Sequence, residues 1–188
     1  MNRADVAEAG HRGDVDLARR ALTAHDPIIR ATALGALHRL GALDAAAFRS
    51  AFGDSDPIVR RRAAQLAAHH RGVDLTAPLA DSDASVVEMA AWTAGEHEDA
   101  RYVPTLNALA KTHDDPLVRE SAVAALGAIG DPAGLAAILQ ATNDKPAIRR
   151  RAIIALTPFE GPEVDEAIEH AKADRDWQVR MVAEELGG

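Results

Sequence analysis

Apolar residues return every three or four positions along a series of short segments, and polar breaks rich in Asp, Gly and Pro separate them. Val118, Ala122, Leu126 and Ile129 form one such stripe, and Gly127 and Gly130 followed by Asp131-Pro132 are expected to end that helix and begin the next. The stripes repeat. DPIIR (26–30), DPIVR (56–60), DASVV (83–87), DPLVR (115–119), KPAIR (145–149) and DWQVR (176–180) follow one another at offsets of 30, 27, 32, 30 and 31 residues. Four positions after the branched aliphatic, every copy carries alanine: Ala33, Ala63, Ala90, Ala122, Ala152 and Ala183.

Each part of the motif has a physical task. The Asp accepts from free N–H groups at a helix start, and the Pro fits the first helical position, where its missing donor is no loss. The aliphatic opens the buried stripe. The Ala one turn later lets a neighbouring helix approach closely. Motif helices are predicted at 27–40, 57–70, 85–96, 116–129, 146–158 and 177–186, with partner helices at 15–24, 43–52, 75–80, 101–112, 132–143 and 162–173. Residues 2–10 read as an N-terminal capping helix. Neither helix of a pair buries its apolar face alone, so successive pairs must stack. The expectation is an all-α chain, a right-handed α-α superhelix of about six two-helix repeats plus that cap, forming one domain over residues 1–188.

The pattern resembles the HEAT-repeat family, in particular the short variety of the phycobilisome bilin lyases. Residues 115–132, DPLVRESAVAALGAIGDP, carry the resemblance almost throughout, and weaker copies cover nearly the whole chain. The resemblance implies a curved superhelix with the motif helices on its concave face. It implies little about activity, because one fold hosts adaptors, lyase subunits, a hydroxylase and scaffolds.

Composition narrows the function. Of the 188 residues 47% are hydrophobic but only 3% aromatic, which suits closely packed helices of Ala, Leu, Val and Ile. The net charge of −8 opposes generic binding to phosphate backbones or anionic lipid. The absence of cysteine excludes disulfides, thiolate catalysis and Cys-ligated zinc. The N-terminal MNRADVAEAGHRGD has no signal-like apolar run, and no stretch is long enough to span a bilayer, so a cytoplasmic location is expected.

The motif arginines Arg30, Arg60, Arg119, Arg149 and Arg180 are expected to form a ladder with Asp residues in the turns, each partly exposed pair worth about 0.5–1 kcal/mol. Two triplets, Arg60–Arg62 and Arg149–Arg151, extend it. Their second members should face the concave surface and their third members a neighbouring helix, since successive residues turn by about 100°. Glu88 and Glu120 fill the equivalent concave positions between them, so a continuous basic track for nucleic acid is interrupted. His70 and His97 share one register, eleven residues after the motif aliphatic, beside Glu96-His97-Glu98-Asp99. Two imidazoles with loop acids make an incomplete set for zinc, which in catalytic sites takes three fixed ligands and water, so edge-of-core histidines are expected. The di-iron deoxyhypusine hydroxylases of this family carry His-Glu after the motif Val-Arg. The corresponding pairs here run from Ala31-Thr32 through Arg61-Arg62, Glu88-Met89, Glu120-Ser121 and Arg150-Arg151 to Met181-Val182, and none is His-Glu.

The third repeat is irregular, with Ala84 for Pro, Val87 for Arg and a clipped first helix. Trp92 there is either an interface anchor or a filler of the space left by that helix; Trp177 is expected to pack locally. The expected function is therefore a non-enzymatic scaffold that binds a protein partner through a concave groove lined by Arg61, Gln65, Glu88, Trp92, Glu120 and Arg150. No cofactor, metal, membrane or small-molecule substrate is expected. The alternatives are a bilin-lyase-like or cofactor-protein maturation subunit, or a DNA-facing solenoid like the HEAT-like alkylpurine glycosylases.

Overall fold

The Asp-Pro signals start helices where the repeat predicts them. In the computed structural model, which describes residues 1–187, the carboxylates of Asp26, Asp56, Asp115 and Asp176 accept from the backbone N–H two residues on, at 2.8–2.9 Å. Thirteen α-helices and no strand occupy the described residues. They are α1 (Arg3–Arg12), α2 (Val15–Ala21), α3 (Pro27–Arg39), α4 (Ala45–Phe52), α5 (Pro57–Ala67), α6 (Thr76–Leu79), α7 (Ala84–His97), α8 (Val103–Thr112), α9 (Pro116–Ile129), α10 (Leu135–Ala141), α11 (Pro146–Ala155), α12 (Pro162–Ala171) and α13 (Trp177–Leu186). The cap and six pairs of the sequence are all present, as a HEAT/armadillo-like solenoid. No described helix is long and apolar enough to cross a membrane.

The chain divides into two compact units, residues 1–90 and 91–188, with the division inside α7. In the first unit α1 packs on α3 and α3 on α5, with α2 and α4 behind them. In the second, α9 packs on α11 and α11 on α13, backed by α8, α10 and α12. All six motif alanines have no exposed surface, and the aliphatics four residues before them are buried.

Small residues set how closely motif helices approach. Gly127 does not end α9, as the sequence suggested; it lies within the helix. A Cβ added there would stand 2.6 Å from Ala155 Cβ and 2.7 Å from its Cα, so α9 and α11 pack backbone to backbone at this point. Gly95 of α7 meets Ala125 of α9 in the same way. Termination falls instead to Gly130, whose φ of 67° is the left-handed conformation that closes a helix without a Cβ penalty.

The arginine ladder is present and more buried than an exposed pair. Arg30 holds Asp54, Arg60 holds Asp81, Arg119 holds Asp144 and Arg149 holds Asp174, each through Nε and Nη2 at 2.6–2.9 Å. No side chain in these four pairs is more than 20% exposed. Each Arg spends its Nη1 on turn carbonyls, such as Asp54 O for Arg60 at 2.8 Å and Asp144 O for Arg149 at 2.9 Å. Each Asp also accepts a backbone N–H from the turn entering the next motif helix, as Asp54 does from Asp56 at 2.9 Å. The 0.5–1 kcal/mol suited to an exposed pair therefore understates a rung, because removing one partner strands a largely buried charge. Arg180, in the last repeat, makes the turn bond alone, to Asp174 O at 2.8 Å.

Two measurements test this packing. Gly127→Ala is expected to lower stability by about 1–3 kcal/mol through overpacking, with part recovered in Gly127→Ala/Ala155→Gly, as read from urea unfolding. Asp174→Ala should cost about 2–3 kcal/mol. The ladder also fixes an acid limit. The hydrogen-bonded arginines hold Asp54, Asp81, Asp144 and Asp174 below the ordinary carboxylate value of 3.8. Their stabilisation is complete above 3.8 and is lost as pH falls through the lower folded values, so the ladder's contribution to the urea midpoint should fall only below that pH.

Candidate functional site

Positions two and six residues after the motif aliphatic stack one turn apart on a helix face, and they carry the residues singled out from sequence. In the first unit these are Ala31 and Gly35 on α3, Arg61 and Gln65 on α5, and Glu88 on α7. In the second they are Trp92 on α7, Glu120 on α9 and Arg150 on α11. Arg61 is 44% exposed and stands 3.9 Å from Glu88. Gln65 Oε1 accepts from Arg62 Nη1 at 2.6 Å. Glu120 and Arg150 are half-buried, and Trp92 is 40% exposed.

Exposed apolar residues accompany this row. Ile154 of α11, in the register of Trp92 six residues after its motif aliphatic, is as exposed as Trp92, and so is Met181 of α13, two residues after Val179. Ile154 stands at the same count from its motif aliphatic as Trp92, but an isoleucine in an apolar helix reads as core. Trp177 is 60% exposed at the start of α13.

The triplets divide as their rotation requires. Arg60 and Arg149 are rungs of the ladder. The third members turn back to the preceding motif helix: Arg151 Nε lies 3.6 Å from Glu120 Oε1, and Arg62 lies across Gly35, its Nη2 2.7 Å from where a Cβ there would sit. The two acids that interrupt the basic row are therefore each beside an arginine of a triplet.

At the irregular repeat, both partners of a rung are replaced in register. Val87, buried, stands where the other repeats have Arg. His113 stands three positions before Pro116, where Asp54 precedes Pro57 and Asp174 precedes Trp177. His113 Nδ1 keeps the local bond, accepting from Asp115 N–H at 3.1 Å, and Arg119 Nη1 donates to His113 O at 2.7 Å. The capping chemistry of the turn survives without the carboxylate.

His70 has neighbours that the repeat register did not reveal. Its Nε2 lies 3.0 Å from His38 Nδ1, its ring meets Phe48 edge-on at 5.0 Å, and the His69 ring lies 5.2 Å from that of His38. His97 is buried in the second unit. Burial lowers the pKa of His38, and the charges of His70, His69, Arg62 and Arg39 lower it further; burial and then His69 do the same to His70. Among the described residues, no group of three or more His, Cys, Asp or Glu side chains is disposed to hold a metal.

Residues 72–157 match the family described as HEAT repeats. No curated protein matches the chain. Among solved structures, the YibA protein of Escherichia coli is similar over 97% of this chain and 73% of its own, with a TM-score of 0.70 and 16% identity. A designed armadillo repeat protein in complex with the peptide (KR)4 is similar over the full length of both chains, at 0.60 and 13%. Human deoxyhypusine hydroxylase is similar over 81% of this chain and 76% of its own, at 0.55 and 19%. At these identities the likeness carries the fold alone.

The histidine contact sets a second pH response, separate from that of the ladder. One ring must accept the other's N–H, so the bond requires at least one neutral imidazole. Both folded pKa values lie below 6.5, so the stabilisation is complete above 6.5 and is lost as pH falls through them. Urea midpoints should therefore decline in a first step below pH 6.5, and that step should shrink in His38→Gln and vanish in His38→Gln/His70→Gln while the acid step of the ladder remains.

Proposed function

We propose that this HEAT/armadillo-like solenoid is a non-enzymatic scaffold that holds a protein partner on the face formed by its motif helices. The observation that carries the reading is the character of that face. Each unit presents long polar side chains of both signs, and exposed aliphatic or aromatic residues stand among them: Ile28 and Ile58 in the first unit, Trp92, Ile154 and Met181 in the second. Large exposed apolar side chains bordered by mixed charge are what protein interfaces use, with the apolar residues as anchors and the charges fixing orientation. The ladder arginines take no part, because their donors are committed to turn carboxylates and carbonyls.

In this reading Arg61, Gln65 and Glu88 serve the first unit and Trp92, Glu120 and Arg150 the second, in a cytoplasmic protein. A repeat protein of similar fold can hold a peptide, since the designed armadillo repeat protein is in complex with the peptide (KR)4. The resemblance of residues 115–132 to the short lyase-type repeat adds the finer expectation that this chain belongs among those short-repeat proteins.

Photo-crosslinking tests the face directly. Benzoylphenylalanine placed at Gln65 and at Glu120 should cross-link protein in a lysate of the source cells, whereas the same group at Glu166 of α12, an exposed residue on a partner helix, should not. Trp92→Ala should reduce the Glu120 adduct at least fivefold. Equal cross-linking from Glu166 would remove the reading.

A further inference from the structure

Several arginines outside the ladder have no carboxylate partner among the described residues, and three of them converge in one groove. Across α1, α3 and α5 of the first unit runs an open groove of about 470 Å³ whose charged lining residues are Arg3, Arg39 and Arg62. No acidic side chain lines it. Gly35 forms part of its floor, and Ile28 and Ile58, 45% and 52% exposed, form its apolar walls.

Two of the cations, Arg39 and Arg62, are held in place by packing. Arg62 lies over Gly35 with Nη1 tied to Gln65 Oε1 at 2.6 Å, and Arg39 lies over Gly10 of α1 with Nη2 donating to Ala7 O at 3.3 Å. A Cβ at either glycine would meet a guanidinium nitrogen at 2.7 Å, so both glycines make room for these side chains. None of the three arginines has an ion-pair partner among the described residues. Burial, and after it the charge of Arg39, holds the Arg62 guanidinium below its usual pKa. This contrasts with the ladder arginines, whose carboxylate hydrogen bonds raise them.

We infer that this groove receives an acidic peptide segment of the partner, its carboxylates on Arg3, Arg39 and Arg62 and an aliphatic side chain between Ile28 and Ile58. The inference rests on the docking reading above and gives that partner a chemistry. Guanidinium groups fit carboxylates through paired, charge-assisted hydrogen bonds. The two exposed isoleucines favour a peptide over a nucleic acid, since a phosphate backbone offers them nothing to cover. The cluster is also short, and the rest of the chain is acidic, which disfavours a long polyanion.

The test uses the full chain and fluorescence anisotropy with a labelled octapeptide alternating Glu and Leu. It should bind about tenfold or more tighter than the octapeptide alternating Lys and Leu, and more weakly as salt rises from about 0.05 to 0.3 M. Arg39→Gln/Arg62→Gln should weaken it at least about tenfold. Arg3→Gln and Ile58→Ser alter exposed side chains and keep the test decisive if that double variant misfolds; each should weaken binding about threefold or more. No preference for the acidic peptide, unchanged binding in these variants, or tighter binding of an eight-nucleotide oligothymidylate would overturn the inference. If Gln65 and Glu120 cross-link a partner while the acidic peptide fails, the groove is wrong and the docking face stands. If the peptide binds and nothing cross-links, the docking face is wrong.

Discussion

The bidentate rung between a motif arginine and a turn aspartate is the constraint from which the rest of the repeat geometry follows. One carboxylate accepts from the guanidinium of one motif helix and from the backbone entering the next, so a single side chain fixes both the angle of the turn and its distance from the preceding repeat. Solenoid repeats have no core of their own and are stabilised by nearest-neighbour contacts. The rung converts that dependence into a defined spacing, and Gly127 against Ala155 lets α9 and α11 close to that distance, while Gly95 against Ala125 gives an equally close approach where no rung is present. The guanidinium reaches this geometry because Asp-Pro places the turn at a constant offset from the helix start.

Most of that architecture was legible in the sequence because it rests on local chemistry at a fixed period. Caps, the first-turn proline, the buried aliphatic and the alanine one turn later each need only a residue type at a position. What was not legible depends on how helices meet. The ladder is readable as partly exposed pairs, but how far the turn closes over each guanidinium is announced by no residue type. Gly127 read as a terminator because Gly-x-x-Gly before Asp-Pro can end a helix at either glycine; only the approach of Ala155 decides. His38 and His70 occupy different positions in their repeats, nine and eleven residues after the aliphatic, so a register comparison separates them while the packing of α3 against α5 brings them to 3.0 Å.

The irregular repeat illustrates the difference between folding signals and interaction signals. Its helix start survives without proline, since Asp83 accepts from both the N–H and the hydroxyl of Ser85, at 2.9 and 2.6 Å. Its turn survives with His113 in place of a carboxylate. What disappears from the register is the rung itself, arginine and aspartate together, which is the expected course when one partner of a buried ion pair is lost: the remaining charge would be stranded, and an apolar or neutral replacement is the less costly state. Val87, buried, is such a replacement. Irregularity at α7 is thus accounted for by the energetics of the ladder, and it does not by itself mark Trp92 as the centre of recognition.

Recognition chemistry is better sought where charge is concentrated and not neutralised. Four motif arginines are compensated within the fold, so they contribute little to the field outside it, and the excess of acidic residues gives the chain its charge of −8. That sum forbids an acidic ligand only if all charges act at equal strength. At physiological ionic strength the screening length is about 8 Å, so a ligand in contact with the α1/α3/α5 groove responds to the charges within roughly that distance and little to the remainder of the surface. Within the groove the charged lining residues are three arginines. The distant acids then act mainly on approach, slowing the arrival of anything negative, while the groove governs what stays bound. A chain acidic overall and basic at one lined groove therefore discriminates by contact more than by steering, and favours partners that also bring an apolar side chain to Ile28 and Ile58.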